Sequence, residues 1–220
     1  MNKQDIDEMK KNAKGGSFEV RTISESSKLS IDEKRSSDGS TTSPVIIGYG
    51  AVFGVASTGL WWEEILMRGC MDETDFSGCY GLFNHDENAV LGSVRGGSLS
   101  LKVDDYGLHY EINPPDNDVV RSLYVEPIRR GDVIHSSFRF ALDYSDPENQ
   151  PDEWIYDEAR DVVVRKINKI ARVSDVSPVL FPAYDAAESS IRAAVAFDEM
   201  REKAEDVKRS SKPIPVYSMF

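Results

Sequence analysis

Three residue types that together perform acyl transfer occur in strand-like surroundings in this 220-residue sequence. His85 closes the apolar run of GLFNHDENAV, and Ser137 lies in the middle of the alternating run VIHSSFRFAL. A serine hydroxyl is a weak nucleophile until a nearby base takes its proton, and the base works best when a third group fixes its tautomer. Asp175, in RVSDVSPVLFPAY, is an acid of the type that fixes a histidine in this way. The three residue types indicate a nucleophilic hydrolase, provided that the fold brings them together.

Each of these residues also has an ordinary structural explanation. A histidine beside a polar turn often hydrogen-bonds locally, a serine in a strand is often satisfied by its neighbours, and an acid at a strand edge often faces water. Ser136 directly precedes Ser137 and offers a second hydroxyl. Because side chains alternate along a strand, Ser137 shares a face with His135 and Arg139, whereas Ser136 lies on the opposite face. Alternation favours Ser137 if its face meets His85, and Ser136 is the fallback.

Other kinds of catalytic or metal chemistry find little support in the sequence. It contains neither a G-x-x-x-x-G-K-[ST] phosphate-binding loop nor a G-x-S-x-G nucleophile turn. Its two cysteines, Cys70 and Cys79, are not in a C-x-x-C spacing, and it has three histidines, so we do not expect a structural zinc site. We predict no cofactor and no metal, and we interpret both cysteines as free thiols in a reducing compartment.

The overall composition limits the classes of partner. The formal net charge of −12 disfavours a surface that follows nucleic-acid phosphates, since such surfaces need clustered Lys and Arg. No run approaches 18 consecutive apolar residues, and the N-terminal residues lack the apolar core of a secretory signal. We therefore expect a soluble, intracellular protein that binds neither nucleic acid nor membrane.

The hydrophobic pattern predicts a β-rich α+β fold. Short alternating or β-branched runs outnumber helical patterns by about two to one, and glycines mark several corners. This pattern favours a mostly antiparallel, closed or nearly closed β-barrel flanked by a few helices. We expect residues 1–16 to be a flexible lead-in, residues 17–185 to form the barrel domain, and residues 186–220 to form a C-terminal helix and tail.

Local signals predict several elements that surround the candidate residues. The pattern of CYGLFNHDENAVLGSV predicts two strands joined by a polar turn, and that of SLSLKVDDYGLHYEINPP predicts a hairpin. We expect a helix over DNDVVRSLYVEPIRRGD, capped by Asp116 or Asp118, distorted by Pro127 and ended by Gly131. A second, short helix is expected within MDETDFSG. Glycines inside VIIGYGAVFG indicate a bulge or a close backbone approach.

Six ordered blocks resemble the prohead proteases of tailed phages, which are distantly similar to herpesvirus assemblins. The resemblance runs from about Val20 to Tyr184, and a single block would be weak, whereas six in the family's order make a specific match. The blocks are GYGAVFG, EEILMRGCM, LFNHDENAVLGSV, VDDYGLHYEI, IRRGDVIHSSFRF and VSDVSPVLFPAY.

The resemblance implies roles for individual residues. The family's catalytic histidine falls on His85, its serine on Ser137, and its acidic third member on Asp175, where many relatives have Glu. Assemblins use a second histidine as the third member, so His135 or His109 is the alternative to Asp175. The oxyanion hole is expected from backbone N–H groups, with glycine-rich turns or Arg172 as possible contributors.

The resemblance also implies a biological role. Such proteases act inside the immature capsid, or prohead, in the host cytoplasm, where they cleave the capsid or scaffold protein and often themselves. A homodimer is a further implication, because assemblins are activated by dimerisation. Residues 186–220 would suit self-processing or scaffold docking, or would form a solvated helix with a disordered end. The alternative function is a catalytically inactive structural protein of the capsid or scaffold with the same barrel.

Overall fold

A computed structural model describes residues 18–23, 28–35, 42–57 and 62–181 of the chain. Contacts divide the chain into Met1–Asp185 and Ala186–Phe220, and all the described residues belong to the first unit. The predicted lead-in (1–16) and the predicted C-terminal helix and tail (186–220) lie outside the described residues. The domain limits therefore stay predictions.

Twelve strands and one short helix make up the described part of the chain. The strands are β1 (Glu19–Ile23), β2 (Ser30–Arg35), β3 (Thr42–Val52), β4 (Glu63–Leu66), β5 (Tyr80–Phe83), β6 (Asp86–Ser93), β7 (Leu99–Val103), β8 (Gly107–Ile112), β9 (His135–Ala141), β10 (Asp152–Asp157), β11 (Val162–Ile167) and β12 (Arg172–Val179). The helix, α1, covers residues 118–129 and runs between β8 and β9. The β-rich character predicted from the pattern is confirmed.

The strands form three hydrogen-bonded sheets. Their orders are β1-β9-β12-β5-β6, β2-β3-β8-β7 and β10-β11-β4. The β12–β5 and β11–β4 pairs are parallel, and the other pairs are antiparallel. No closed barrel exists among the described strands, so the predicted barrel is not confirmed. Of the few flanking helices that we expected, the described part of the chain contains one, α1.

The core lies where the five-stranded and four-stranded sheets face each other. Alternating residues of β9 and β8, such as Phe138 and Tyr110, are fully buried there. Strand β3 passes close over β9 and β12. Gly50 lies at this approach, where an added Cβ would stand only 2.9 Å from the Val176 side chain. The β3–β8 register shifts between Tyr49 and Ala51. The glycines predicted to mark a bulge and a close approach do both.

Helix α1 is continuous but changes its hydrogen bonding along its length. It is α-helical over Asp118–Val120, π-helical over Arg121–Val125 and α-helical over Glu126–Arg129. The π-helical segment ends two residues before Pro127, which lacks the N–H that a regular helix would use. The predicted cap at Asp116 or Asp118 is wrong: Asn117 caps the helix by accepting from the Val120 N–H. Gly131 ends the segment with φ +78°, as expected.

The local sequence signals predicted one of two further segments correctly and the other wrongly. The hairpin predicted over residues 98–115 is confirmed as β7 and β8, joined by a turn at residues 104–106. The short helix predicted within residues 71–78 is wrong, since this segment consists of turns with an isolated bridge from Asp75 to Arg172.

Candidate active site

Ser137 lies at the centre of β9, the second strand of the five-stranded sheet. Its neighbours in register are Thr22 of β1 on one side and Ser177 of β12 on the other. The side chain has no exposed surface. The Ser137 hydroxyl oxygen lies 2.6 Å from Nε2 of His85 and 2.8 Å from the carbonyl oxygen of Arg21. The serine is therefore enclosed between an imidazole and a backbone carbonyl.

His85 occupies the turn between β5 and β6. Phe83 pairs with Asp86, and the two residues between them, Asn84 and His85, have φ values of 54° and 58°. Two consecutive positive φ values are typical of the type I′ turn, whose twist suits a β-hairpin. Residues other than glycine adopt them at a cost, so the surroundings must hold the turn.

Contacts with the end of β12 hold this turn in place. The Asn84 N–H donates to the Pro178 carbonyl at 3.0 Å, and the Leu180 N–H donates to Oδ1 of Asn84 at 2.9 Å. These bonds tie Asn84, the first of the two strained residues, to the end of β12, which is the strand next to β9. The His85 ring is thereby aimed along the sheet toward Ser137.

Asp175 lies on β12, with 2% of its side chain exposed. Its Oδ1 atom is 2.5 Å from Nδ1 of His85 and accepts a hydrogen bond from the Ser177 hydroxyl at 2.9 Å. Its Oδ2 atom lies 3.3 Å from Nε of Arg139, which is opposite Asp175 in the β9–β12 register. The buried carboxylate is therefore paired at both oxygens.

The structure thus brings the three candidate residues into one line of contacts. With the Nδ1–H of His85 donated to Asp175, the lone pair of Nε2 faces the Ser137 hydroxyl. That tautomer is the one that takes a proton from serine, and a carboxylate at Nδ1 stabilises the resulting imidazolium. The arrangement is chemically suited to general-base activation of a serine nucleophile.

Comparison with known protein families gives a direct assignment. The sequence model of the caudovirus prohead serine proteases matches residues 30–203. The chain belongs to this family. The resemblance found in the six sequence blocks is therefore confirmed.

Among solved structures, the chain is similar to the bacteriophage T4 capsid assembly protease, gp21. The identity is 11%, the TM-score is 0.44, and the alignment covers 76% of this chain and 98% of that one. No curated protein matches the chain.

The alternative candidates for the nucleophile and for the third member of the site lie elsewhere in the fold of this prohead-protease family member. The Ser136 hydroxyl hydrogen-bonds the Tyr110 hydroxyl at 2.7 Å, and both residues are fully buried on the core side of the sheet. The ring of His109, on β8, packs edge-on against Tyr49. His135 begins β9, opposite Val179. Asp175, and neither of these histidines, is the residue placed against His85.

Arg172 was a candidate contributor to the oxyanion hole, and it lies four positions along the strand pair from Ser137. It pairs with Ala141, and its guanidinium stands 4.9 Å from the centre of the Phe18 ring. The structure therefore places Arg172 against the aromatic ring that precedes β1.

Two residues of the site were not singled out from the sequence. Ser177 donates to Asp175 and lies 3.4 Å from Nδ1 of His85. Arg139 contacts Asp175 and also donates to the backbone carbonyl of His85 at 3.4 Å. Strand alternation was the available signal, because it puts Ser137 with Arg139 and Asp175 with Ser177 on the same faces of their strands.

A thiol also approaches the site but stays protonated. Burial raises the pKa of Cys79 to about 12, and the negative charge of Asp175 contributes to this shift. A protonated thiol is a poor nucleophile, and Cys70 has a similarly raised pKa, mainly because of burial. Both cysteines are free and buried. Serine therefore remains the better candidate nucleophile.

An open cleft of about 510 Å³ adjoins Asp175 on the same sheet. Apolar and charged side chains both line it, among them Phe18, Tyr80, Leu82, Val90, Glu87 and Arg139. Within the described ranges, no group of three or more His, Cys, Asp or Glu side chains could hold a metal ion. In the same ranges, no helix has the length and apolar character needed to cross a membrane.

Proposed function

We propose that the chain is a serine endopeptidase in which Ser137 is the nucleophile, His85 the general base and Asp175 the residue that orients His85. A single observation carries this proposal. The two ring nitrogens of His85 contact Ser137 at 2.6 Å and Asp175 at 2.5 Å, although the three residues come from different strands or turns. Family membership supports the same reading, since the family is that of serine proteases.

The proposed reaction has two acyl-transfer steps. Nε2 of His85 takes the Ser137 proton while Oγ attacks the carbonyl carbon of a peptide bond, and backbone N–H groups stabilise the oxyanion. His85 then gives this proton to the leaving amine, so that the C–N bond breaks and an ester to Ser137 remains. Water, deprotonated by His85, attacks the ester, and the proton returns to Ser137 as the acid product leaves.

We propose that the substrates are the capsid or scaffold protein of the phage, and the chain itself. This proposal rests on the family's name, which places its members in the prohead. The site of action would then be the immature capsid in the host cytoplasm, with a homodimer as the proposed assembly.

The decisive experiment compares two adjacent serines. Purified wild-type protein, Ser137→Ala and Ser136→Ala are incubated with the capsid protein of the same phage and with a fluorophosphonate that labels activated serines. We expect Ser137→Ala to lose labelling and at least about 10³-fold in cleavage rate, because the residual rate comes from the rest of the site. Ser136→Ala should keep most of its activity, since Ser136 bonds Tyr110.

Other results would change the assignment. Cleavage that survives in both variants would remove Ser137 from the nucleophile role. A wild-type protein that neither cleaves nor reacts with the fluorophosphonate would favour the inactive structural protein.

A further inference from the structure

Strand β1, the outer neighbour of the Ser137 strand, precedes the residues that the sequence model of the family matches. Strand β1 is the edge strand of the five-stranded sheet and pairs with β9 from Glu19–Phe140 to Ile23–Ser136. The family match begins at residue 30, after β1 has ended. Within the matched region, β9 is therefore the end strand of this sheet, with Ser137 in the middle of its edge. Such an edge is a template for an extended peptide.

The contact between β1 and Ser137 is not a productive one. A hydroxyl has one proton to donate, and the Ser137 oxygen has two acceptors, Nε2 of His85 at 2.6 Å and the Arg21 carbonyl at 2.8 Å. A proton directed at Arg21 is not directed at the base. Moreover, a scissile carbonyl carbon has to come within about 3–3.5 Å of the nucleophile, and Ser137 has no exposed surface.

We infer that the edge of β9 is the binding site for the main chain of an extended peptide substrate, and that β1 occupies this site as an internal inhibitor. The substrate segment would add as a strand antiparallel to β9 in the place of Glu19–Ile23. This inference rests on the proposed function, because it uses Ser137 as the nucleophile. Activity then requires that β1 leave or shift.

The attachment of β1 is polar on the side that faces the molecule. The Arg21 guanidinium bonds both carboxylate oxygens of Glu64, at 2.5 and 2.8 Å. The Glu19 carboxylate accepts from Arg165 at 2.6 and 2.9 Å. Each of these charges gives up its hydration when β1 is in place, which offsets much of the attraction between the paired groups. Apart from the backbone pairing with β9, these side chains therefore hold β1 less firmly than apolar packing would.

The charges that β1 would leave behind keep their own partners. Arg165, which is fully buried, also bonds Glu64 at 2.9 Å and Asp152 at 2.8 Å. Departure of β1 therefore leaves no isolated buried charge at Arg165 or Glu64. This removes the largest penalty that an ion cluster could impose on the exchange.

The test weakens β1 in the full-length protein and measures access to Ser137. We expect the fluorophosphonate to label Arg21→Gln about five- to thirtyfold faster than wild type, the factor that corresponds to a loss of about 1–2 kcal/mol in the closed state. Arg129→Gln is the matched control, since Arg129 also joins two carboxylates, those of Glu33 and Glu126, but far from β1 in the chain. It should label at the wild-type rate.

A peptide in trans tests the binding edge itself. The acetylated peptide FEVRTI, which reproduces residues 18–23, should slow the labelling of Arg21→Gln in a saturable way, whereas the reversed sequence should not. Hydrogen exchange at the β1 amides shows whether the strand has loosened in each variant. If Arg21→Gln does not fold, Glu19→Gln gives the same comparison, because it removes the contacts to Arg165.

The outcomes separate this inference from the proposed function. Equal labelling of wild type and Arg21→Gln, with faster exchange of β1 in the variant, would show that β1 does not control access, while the nucleophile assignment would stand. No labelling of Ser137 in either protein would overturn the proposed function itself.

Discussion

At the scale of single residues, the candidate site depends on the contacts that His85 makes through its two ring nitrogens. Asp175 fixes one nitrogen and Ser137 faces the other. Arg139 adds a positive charge beside the acid and touches the backbone carbonyl of His85. The charge balance around the imidazole is therefore set by groups on several strands. Asp175 comes from β12, Arg139 from β9 and Glu87 from β6, while Cys79, which precedes β5, stays neutral.

These contacts predict the effect of removing the Arg139 guanidinium. In Arg139→Met, Oδ2 of Asp175 loses its ion-pair partner and the His85 carbonyl loses a hydrogen-bond donor, so both residues are positioned less firmly. We expect kcat/KM to fall about tenfold, because a small misplacement of a reacting group is enough for a loss of this size. Steady-state kinetics with a peptide substrate check this.

Two further variants separate this role from a general loss of stability. Arg139→Lys keeps the charge and should recover part of the wild-type kcat/KM. Arg121→Met, which removes an α1 arginine that pairs with Asp116 just before the helix, should leave kcat/KM unchanged. A wild-type kcat/KM in Arg139→Met would contradict the positioning role.

At the scale of elements, turns of defined geometry place the site and its supports. The β5–β6 turn gives His85 its orientation, and the β7–β8 turn is closed by one carboxylate. Oδ1 of Asp104 accepts from the N–H groups of Tyr106 at 2.8 Å and Gly107 at 3.0 Å, and Oδ2 accepts from the Tyr49 hydroxyl at 2.8 Å. The β7–β8 turn is therefore joined to β3 as well as to its own hairpin.

The Asp104 turn predicts a pH-dependent contribution to stability. Partial burial acts to raise the pKa of Asp104, but the hydrogen bonds from Gly107, Tyr49 and Tyr106 together hold it below its usual value. A lowered pKa means that the contribution is present above the unfolded-state pKa, near 3.9, and is lost as the pH falls through the lower folded-state value. Asp104→Ala should therefore lower the melting temperature at pH 7, by an amount equivalent to roughly 1–2 kcal/mol, and less at pH 2.

Thermal melts across this pH range measure the effect. Asp105→Ala is the neighbouring control, because the Asp105 side chain is fully exposed, and it should change the melting temperature little. A difference between Asp104→Ala and wild type that is equally large at pH 2 and pH 7 would contradict the role of the charged carboxylate.

At the scale of the whole molecule, the core protects groups that would otherwise react. Cys70 and Cys79 belong to the central cluster of buried residues, with 1% of each residue exposed. Reactivity of the two thiols therefore reports on the integrity of the fold.

The cysteines provide a prediction at this scale. Because burial raises the pKa of each thiol to about 12, very little thiolate exists at pH 8 and reagents have no access to it. We expect iodoacetamide to leave the native protein unmodified over hours and to add two groups per chain in guanidinium chloride, as counted by mass spectrometry. Rapid modification of one cysteine in the native protein would show that the core around it is open.

The sequence alone determined those features that depend on neighbours along the chain. Period-two alternation predicted β9 and separated Ser137 from Ser136, turn residues predicted the β7–β8 hairpin and the strands around His85, and six ordered blocks indicated the family. Each of these signals acts over a few residues, or rests on motifs that can be recognised directly. The exact helix cap, Asn117 in place of an adjacent aspartate, shows how narrowly local signals can miss.

Only the tertiary structure decided which strands meet. The contact of His85 with Ser137 and Asp175 requires the order β9-β12-β5, in which β12 and β5 pair in parallel although they are distant in the chain. The tertiary structure also brought in Arg139 and Ser177, placed β1 against Ser137, and left three sheets where a closed or nearly closed barrel was expected. Strand order is decided by competition among long-range pairings that share one core, and periodicity within a segment does not contain that competition.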